Sequence, residues 1–204
     1  MNGIFSRYKL ADEEINTFVK LGTTREFDAG GVLFYEGSPS DVFFIIIEGL
    51  AKGGKFDGQK ERVYHFFFPN TLVGEVSFLE GLTYPLTAVF ATKGRALVVG
   101  KEALDNSRIH SETLNKTFLK SIIGKVRHLQ NSIDKIASKD CRIKTAMFLL
   151  EHQMWLEYIQ IKEAAAVLNI SRESVSRAIG FFIREGAITK NNNTIKITNI
   201  DFLS

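Results

Sequence analysis

The feature that most constrains this chain is a regular apolar repeat near its middle. From Glu112 to Ala137 there is no proline and one glycine, and apolar residues recur at intervals of 3, 4, 3, 4 and 3, at Leu119, Ile122, Val126, Leu129, Ile133 and Ile136. This spacing predicts one long helix with a coiled-coil seam, narrower than the apolar stripe of an ordinary core helix. We expect the seam to be the interface of a parallel homodimer. The alternative is a helix buried within its own domain.

The residues before this helix have the pattern of short strands. A short amphipathic helix is predicted from Ala11 to Leu21, and β-rich runs follow at 32–35, 42–47, 62–68, 72–73, 86–91 and 95–99, separated by turn residues. This regular spacing indicates an antiparallel barrel or sandwich. Asp57-Gly58 is predicted to form a hairpin turn, because both residues tolerate positive φ. Many of the 17 phenylalanines fall here, and they are interpreted as barrel core, with an aromatic ligand cage as the alternative.

The residues after the long helix carry the most specific motif. A helix is predicted over 142–150, capped by Ser138 or Asp140, then a short strand over 159–161, then two helices within 162–182. Asn169 stands where the turn between the two helices needs a left-handed residue, and Ser171 suits the N-cap of the second helix. Strands at 187–189 and 194–197 flank an Asn-rich turn. Together these segments predict a winged helix-turn-helix.

The second helix of this motif provides the candidate contacts to DNA bases. Its N-terminal end enters the major groove in such motifs, where arginine bonds guanine O6 and N7 and glutamate accepts from cytosine N4. Taken alone, a Ser-Arg-Glu triplet would indicate only a capped helix on the protein surface, and this is the alternative to a DNA-reading helix. On the wing, Lys190, Lys196 and the Thr194 hydroxyl are candidate phosphate contacts. The candidate base-reading and supporting residues at the helix start are Ser171, Arg172, Glu173, Ser174, Ser176 and Arg177.

Composition supports this division of the 204-residue chain. Residues 1–100 carry 10 Lys+Arg and 12 Asp+Glu, whereas residues 101–204 carry 16 and 11, so the charge changes from −2 to +5. A basic C-terminal half is expected to meet a polyanion. We find no membrane-length apolar run and no signal-peptide pattern, and therefore expect a cytoplasmic protein. The fold class is α+β, with domains at 1–111 (barrel), 112–138 (dimerisation helix) and 139–204 (winged helix).

Taken together, the barrel, the long helix and the stretch from Ile170 to Arg177 resemble the CRP/FNR family of bacterial transcription regulators, over nearly the whole chain. The resemblance implies a homodimer in which Arg172, Glu173 and Arg177 read a TGTGA-type half-site of a palindrome. It also makes RNA polymerase a candidate partner. The chain departs from the family's best-known activators in lacking a long loop between Leu150 and Ile159, the loop that contacts the polymerase there.

The resemblance also implies an effector cassette, a segment that begins with Gly-Glu and grips a cyclic phosphate in that family. Gly74, Glu75 and Thr87 match it, and Val76 lies within it, but position 86 is leucine instead of the phosphate-binding arginine. A bidentate arginine–phosphate pair is the strong contact of such a site. We therefore predict that cyclic AMP is not the effector. Glu75 is either a ligand contact or an acceptor for backbone amides of the turn.

Other sensing chemistries find little support. The single cysteine, Cys141, excludes a four-cysteine iron–sulfur cluster held by one chain, and it is interpreted as structural rather than as a reactive thiol. His65 is the only histidine of the barrel region, and one histidine on a strand is more often a core or surface residue than a haem ligand. We expect no iron–sulfur cluster, no haem, no metal ion and no enzyme activity. The effector is expected to be an organic molecule, or the protein has none. The rival functions are a ligand-binding module that acts on a protein partner, and an enzyme that uses the barrel cavity.

Overall fold

A computed structural model describes residues 9–57, 60–107, 111–137, 140–191 and 194–203. The chain divides into two compact units, residues 1–128 and 129–204. The elements of the first unit are α1 (Asp12–Val19), β1 (Gly22–Phe27), β2 (Val32–Phe34), β3 (Val42–Glu48), β4 (Ala51–Asp57), β5 (Lys60–Phe67), β6 (Leu72–Val73), α2 (Glu75–Glu80), β7 (Thr87–Phe90), β8 (Gly94–Gly100), α3 (Lys101–Asp105) and most of α4 (Ser111–Ala137).

The first unit is built from two four-stranded antiparallel sheets, in the orders β1-β8-β3-β6 and β2-β7-β4-β5. Strand β3 explains why the apolar run 42–47 has no polar alternation. Phe44 and Ile46 belong to the cluster between the sheets, whereas Phe43 and Ile45 belong to a second cluster with residues of α1, α2 and α4. A strand covered on both faces reads as a continuous apolar run. The predicted α+β fold with an antiparallel barrel is confirmed.

Two strands of the sheets are absent from the sequence prediction. β1 is largely exposed and carries polar residues, so its pattern did not stand out. β4 contains Gly53 and Gly54, where the register with β5 shifts. A Cβ on Gly54 would lie 2.2 Å from the Arg62 carbonyl oxygen, so the bulge there requires glycine. Asp57 pairs with Lys60, and Gly58 of the predicted turn lies outside the described residues.

The second unit contains α5 (Cys141–Glu151), α6 (Ile161–Leu168), α7 (Arg172–Arg184), the hairpin β9 (Ile188–Asn191) and β10 (Thr194–Ile197), and α8 (Ile200–Leu203). Of the two predicted caps of α5, Ser138 lies outside the described residues, and the Asp140 carboxylate accepts a hydrogen bond from the Arg142 amide at 2.7 Å. The strand predicted over 159–161 is wrong. The Gln160 amide donates to the Glu163 carboxylate at 2.8 Å, so this residue caps α6, which begins at Ile161.

Candidate nucleic-acid interface and effector cassette

The turn between α6 and α7 has the geometry that its sequence predicts. Asn169 adopts φ 52°, ψ 46°, a left-handed conformation that asparagine tolerates better than most residues. The Ser171 hydroxyl accepts a hydrogen bond from the Ser174 amide at 3.1 Å and so caps α7. Ala165 is buried where the helices pack. Local backbone chemistry therefore fixes the start of α7.

Helix α7 separates a buried face from an exposed polar face. The buried side chains are Val175, Ala178, Ile179 and Phe182. On the other face, Arg172, Glu173 and Arg177 are exposed together with Ser171 and Ser176, while Ser174 is half-buried. The Arg177 guanidinium lies 3.4 Å from the Ser174 hydroxyl. The six candidate base-reading and supporting residues thus occupy one end of one helix.

Glu173 is held in its acceptor form. Hydrogen bonds from its own backbone amide and then from the Ser171 hydroxyl lower the pKa of Glu173 below its usual value, and the nearby charges of Arg172 and Arg177 act in the same direction. A carboxyl with a lowered pKa stays ionised to more acidic pH. Like any glutamate at neutral pH, it can accept hydrogen bonds from a base amino group, and the lowered pKa extends this ability to more acidic pH.

The wing brings together only part of its predicted set. Thr194 pairs with Asn191 and Lys196 with Thr189, so these residues share one face of the hairpin. Lys190 pairs with Ile195 and lies on the other face, because successive residues of a strand alternate. Both lysines are exposed and Thr194 is half-buried. One phosphate therefore cannot face both lysines on a regular hairpin.

The structure adds two arginines that the sequence reading missed. A groove of about 660 Å³ continues from Ser174, Ser176 and Arg177 to Arg142 of α5 and Arg184 of α7. The Arg142 guanidinium lies over the Phe181 ring, 4.5 Å from its centroid. The seven-residue spacing of Arg177 and Arg184, two helical turns, was the available signal for a shared face. Cys141 also lines this groove and is half-buried.

The long helix α4 presents two different faces. Phe118 is buried against Phe18 and Phe43, with ring centroids 6.1 and 5.4 Å away. Three positions of the apolar repeat, Leu119, Val126 and Leu129, are 57%, 48% and 61% exposed, and Ile122 is half-buried. The side chains of Ile133 and Ile136 lie outside the described residues. The repeat therefore forms an exposed apolar stripe over its described part.

The cassette begins at Gly74, which has φ 82° and precedes α2. A Cβ at this position would lie 2.8 Å from the Tyr84 ring. Tyr84 stacks on Phe34 with ring centroids 3.8 Å apart and donates its hydroxyl to the Val42 carbonyl, and burial raises the pKa of Tyr84 to about 12. The space beside the glycine is thus filled by an aromatic ring.

Glu75 is completely buried, and its partners come from α4. Its carboxylate accepts a hydrogen bond from the Ser121 hydroxyl at 2.7 Å and pairs with the Lys125 ammonium at 2.5 Å from both oxygens. The sequence alternative in which Glu75 accepts from backbone amides of the turn is wrong. Serine and lysine one helical turn apart on α4 satisfy it instead.

The other cassette positions have different surroundings. Leu86 packs against the cluster between the sheets. The Thr87 hydroxyl accepts a hydrogen bond from the Glu36 amide at 2.9 Å, and Val76 is 38% exposed.

His65 lies edge-on to the Phe67 ring at 4.6 Å.

The described ranges contain neither a helix suited to cross a membrane nor a cluster suited to bind a metal ion. No helix there is both long and apolar enough to cross a bilayer. No group of three or more His, Cys, Asp or Glu side chains there is arranged to hold a metal ion.

A capped helix-turn-helix with an exposed arginine-bearing second helix and a wing defines a DNA-binding class of protein. A family model described as the cyclic nucleotide-binding domain matches residues 24–107, and one described as the Crp-like helix-turn-helix domain matches residues 144–204. The chain belongs to the CRP/FNR family of transcription regulators.

Individual relatives agree with this assignment. The CRP-like cAMP-activated global transcriptional regulator of Mycobacterium tuberculosis is 24% identical over 197 residues, which cover 88% of this chain and 85% of the relative. The anaerobic regulatory protein of Bacillus subtilis is 25% identical over 183 residues, covering 83% and 76%. The solved structure of FixK2 from Bradyrhizobium japonicum has a TM-score of 0.75 at 18% identity, covers 89% of this chain and 95% of that chain, and shows the shared fold.

Proposed function

We propose that this regulator binds palindromic DNA as a parallel homodimer and reads TGTGA-like half-sites with α7. The observation that carries the proposal is the exposed trio Arg172, Glu173 and Arg177 on a capped helix whose other face is buried. Two arginines and an ionised carboxylate supply the donors and the acceptor that guanine and cytosine edges require.

The dimer is supported by the exposed stripe on α4. Leucine and valine side chains that are about half exposed along one helix are costly in water, and a second copy of the same helix would cover them. A two-fold dimer also supplies two recognition helices for the two halves of a palindrome.

Backbone phosphates are contacted by a wider set of cations. Lys196 and Thr194 share one face of the wing, Lys190 lies on the other, and Arg142 and Arg184 line the groove beside Arg177. Such contacts fix the position of a protein on DNA without reading its sequence. They also make affinity fall with increasing salt concentration.

The function is not enzymatic, and it is exercised in the cytoplasm. Its control through the first unit does not use cyclic AMP, because the partly buried Leu86 offers a phosphate no charge and packs against the core instead. The sequence expectation of an organic effector of another class, or of no effector, with no iron–sulfur cluster and no haem, stays a proposal. RNA polymerase stays a candidate partner.

Fluorescence anisotropy with a TGTGA palindrome and a scrambled duplex tests this function. We expect the protein to prefer the palindrome, and Arg172→Ala and Arg177→Ala each to lose about 1–3 kcal/mol of that discrimination. Arg25→Ala, which removes an exposed arginine from β1, is the matched control and should behave as the parent. Equal losses on both duplexes in the two α7 variants would contradict base reading.

A further inference from the structure

The buried carboxylate of Glu75 is the most unusual group outside the DNA-binding unit. An ionised side chain with no exposed surface must be paired and hydrogen-bonded to be tolerated. Glu75 has both kinds of partner, Lys125 and Ser121, and both stand on α4. The first residue of the cassette helix α2 is therefore tied to the long helix by charge.

The remaining cassette groups contribute no competing cation. Position 86 is a partly buried leucine that packs against the core, and the Thr87 hydroxyl accepts from the Glu36 amide. A positive charge reaches the cassette from α4 as the Lys125 ammonium, whose side chain is 37% exposed while Glu75 is fully buried. The chain thus supplies from α4 a cation that meets the cassette carboxylate.

This contact also bears on the α4 stripe. Phe118, Ser121 and Lys125 are three and four residues apart and form one face of the helix, which lies against the first unit. Because this face of α4 is held against the first unit, the side chains of Leu119 and Val126 point in a defined direction. A second ion pair, from Lys120 to Glu14 of α1 at 2.7 Å, joins α4 to the same unit away from the cassette, and its side chains are 30% and 24% exposed.

Resting on the DNA-binding function proposed above, we propose that Lys125 is a built-in ligand of the cassette. The Glu75–Ser121–Lys125 cluster holds α4 in the orientation that DNA binding requires, in place of a small effector. The protein then binds its DNA without any added molecule. A regulator of this kind is controlled by its own abundance or by events that open the cluster, rather than by occupancy of the barrel.

The test starts from full-length protein unfolded in guanidinium chloride and refolded by dialysis, which removes bound small molecules. Its DNA is a duplex that the untreated protein enriches from a random pool. We expect the refolded and untreated proteins to bind this duplex with the same affinity, and Lys125→Met to bind at least about ten-fold more weakly. Lys120→Met, which breaks the ion pair between α4 and Glu14 of α1, is the matched control and should bind as the parent.

Two further variants separate this role from simple destabilisation. The double variant Glu75→Gln with Lys125→Met removes both charges, so it leaves no unpaired buried charge and should unfold near the parent temperature, yet still bind DNA weakly. Ser121→Ala keeps the ion pair and should weaken binding by only about three-fold. Refolded parent that has lost DNA binding, or Lys125→Met that binds like the parent, would overturn the proposal while leaving the DNA-binding function intact. Failure of the untreated parent to enrich any duplex would instead overturn that function, and this proposal with it.

Discussion

Helices α2 and α7 share a glutamate in the first turn but differ in what surrounds it. A residue in the left-handed region lies shortly before each of them, Gly74 for α2 and Asn169 for α7, and a glutamate stands in the first turn of each. Glu75 is fully buried and tied to α4, whereas Glu173 is exposed beside two arginines. The comparison shows that a glutamate in the first turn of a helix either joins parts of the chain or stays exposed to solvent, depending on what packs over it.

The largest expected effect is a loss of stability when the buried Glu75 carboxylate loses its partner. Lys125→Met leaves the Glu75 carboxylate buried without its counter-charge, which costs about 3–5 kcal/mol in other proteins. We expect urea denaturation to show a loss of that size. The same loss in Lys120→Met, whose ion pair is partly exposed, would show that the burial of Glu75 is not the reason for the cost.

The start of α7 should show an intermediate effect. Ser171→Ala removes the hydroxyl that caps the helix through the Ser174 amide and is expected to cost about 1 kcal/mol of unfolding free energy. It should also weaken DNA binding, because the first turn carries the base-reading residues. Ser171→Asp retains a cap and should restore the stability measured by thermal unfolding. A failure of aspartate to do so would show that the cap is not the reason for the loss.

The smallest stability effect is expected at the exposed cations. Arg184→Ala and Lys190→Ala should each change the unfolding free energy by less than about 0.5 kcal/mol. In anisotropy titrations each should lower the slope of log affinity against log salt by about 0.9, as loss of one phosphate contact does. An unchanged slope for Arg184→Ala would remove the groove beside α7 from the DNA interface.

The sequence predicts the elements whose determinants are local. The left-handed Asn169 and the Ser171 cap were predicted because turn and cap chemistry depend on adjacent residues. The long helix was predicted because its periodicity is regular and proline is absent. The strand predicted over 159–161 failed because Gln160 and Glu163 form a helix cap that the apolar pattern conceals.

Features that depend on residues far apart in the chain could not be predicted from the sequence. The glycines of β4 weaken its strand pattern. They are required because Arg62 and Phe67 of β5 approach β4 closely, and this contact exists only in the folded sheet. The partners of Glu75 lie 46 and 50 residues along the chain. Nothing near the cassette indicates that a serine and a lysine of α4 would reach it. The candidate DNA-reading residues fall on one helix and were therefore found together.

The exposed end of α7 is proposed to read bases in a two-fold symmetric site. Selection of bound duplexes from a random pool, with the parent and with Arg177→Ala, tests it most directly. We predict that the parent recovers a palindrome and that the variant recovers the same palindrome with relaxed preference at one base pair in each half. Recovery of an asymmetric site would contradict binding as a two-fold dimer. A variant that binds more weakly with unchanged base preferences would contradict base reading by Arg177.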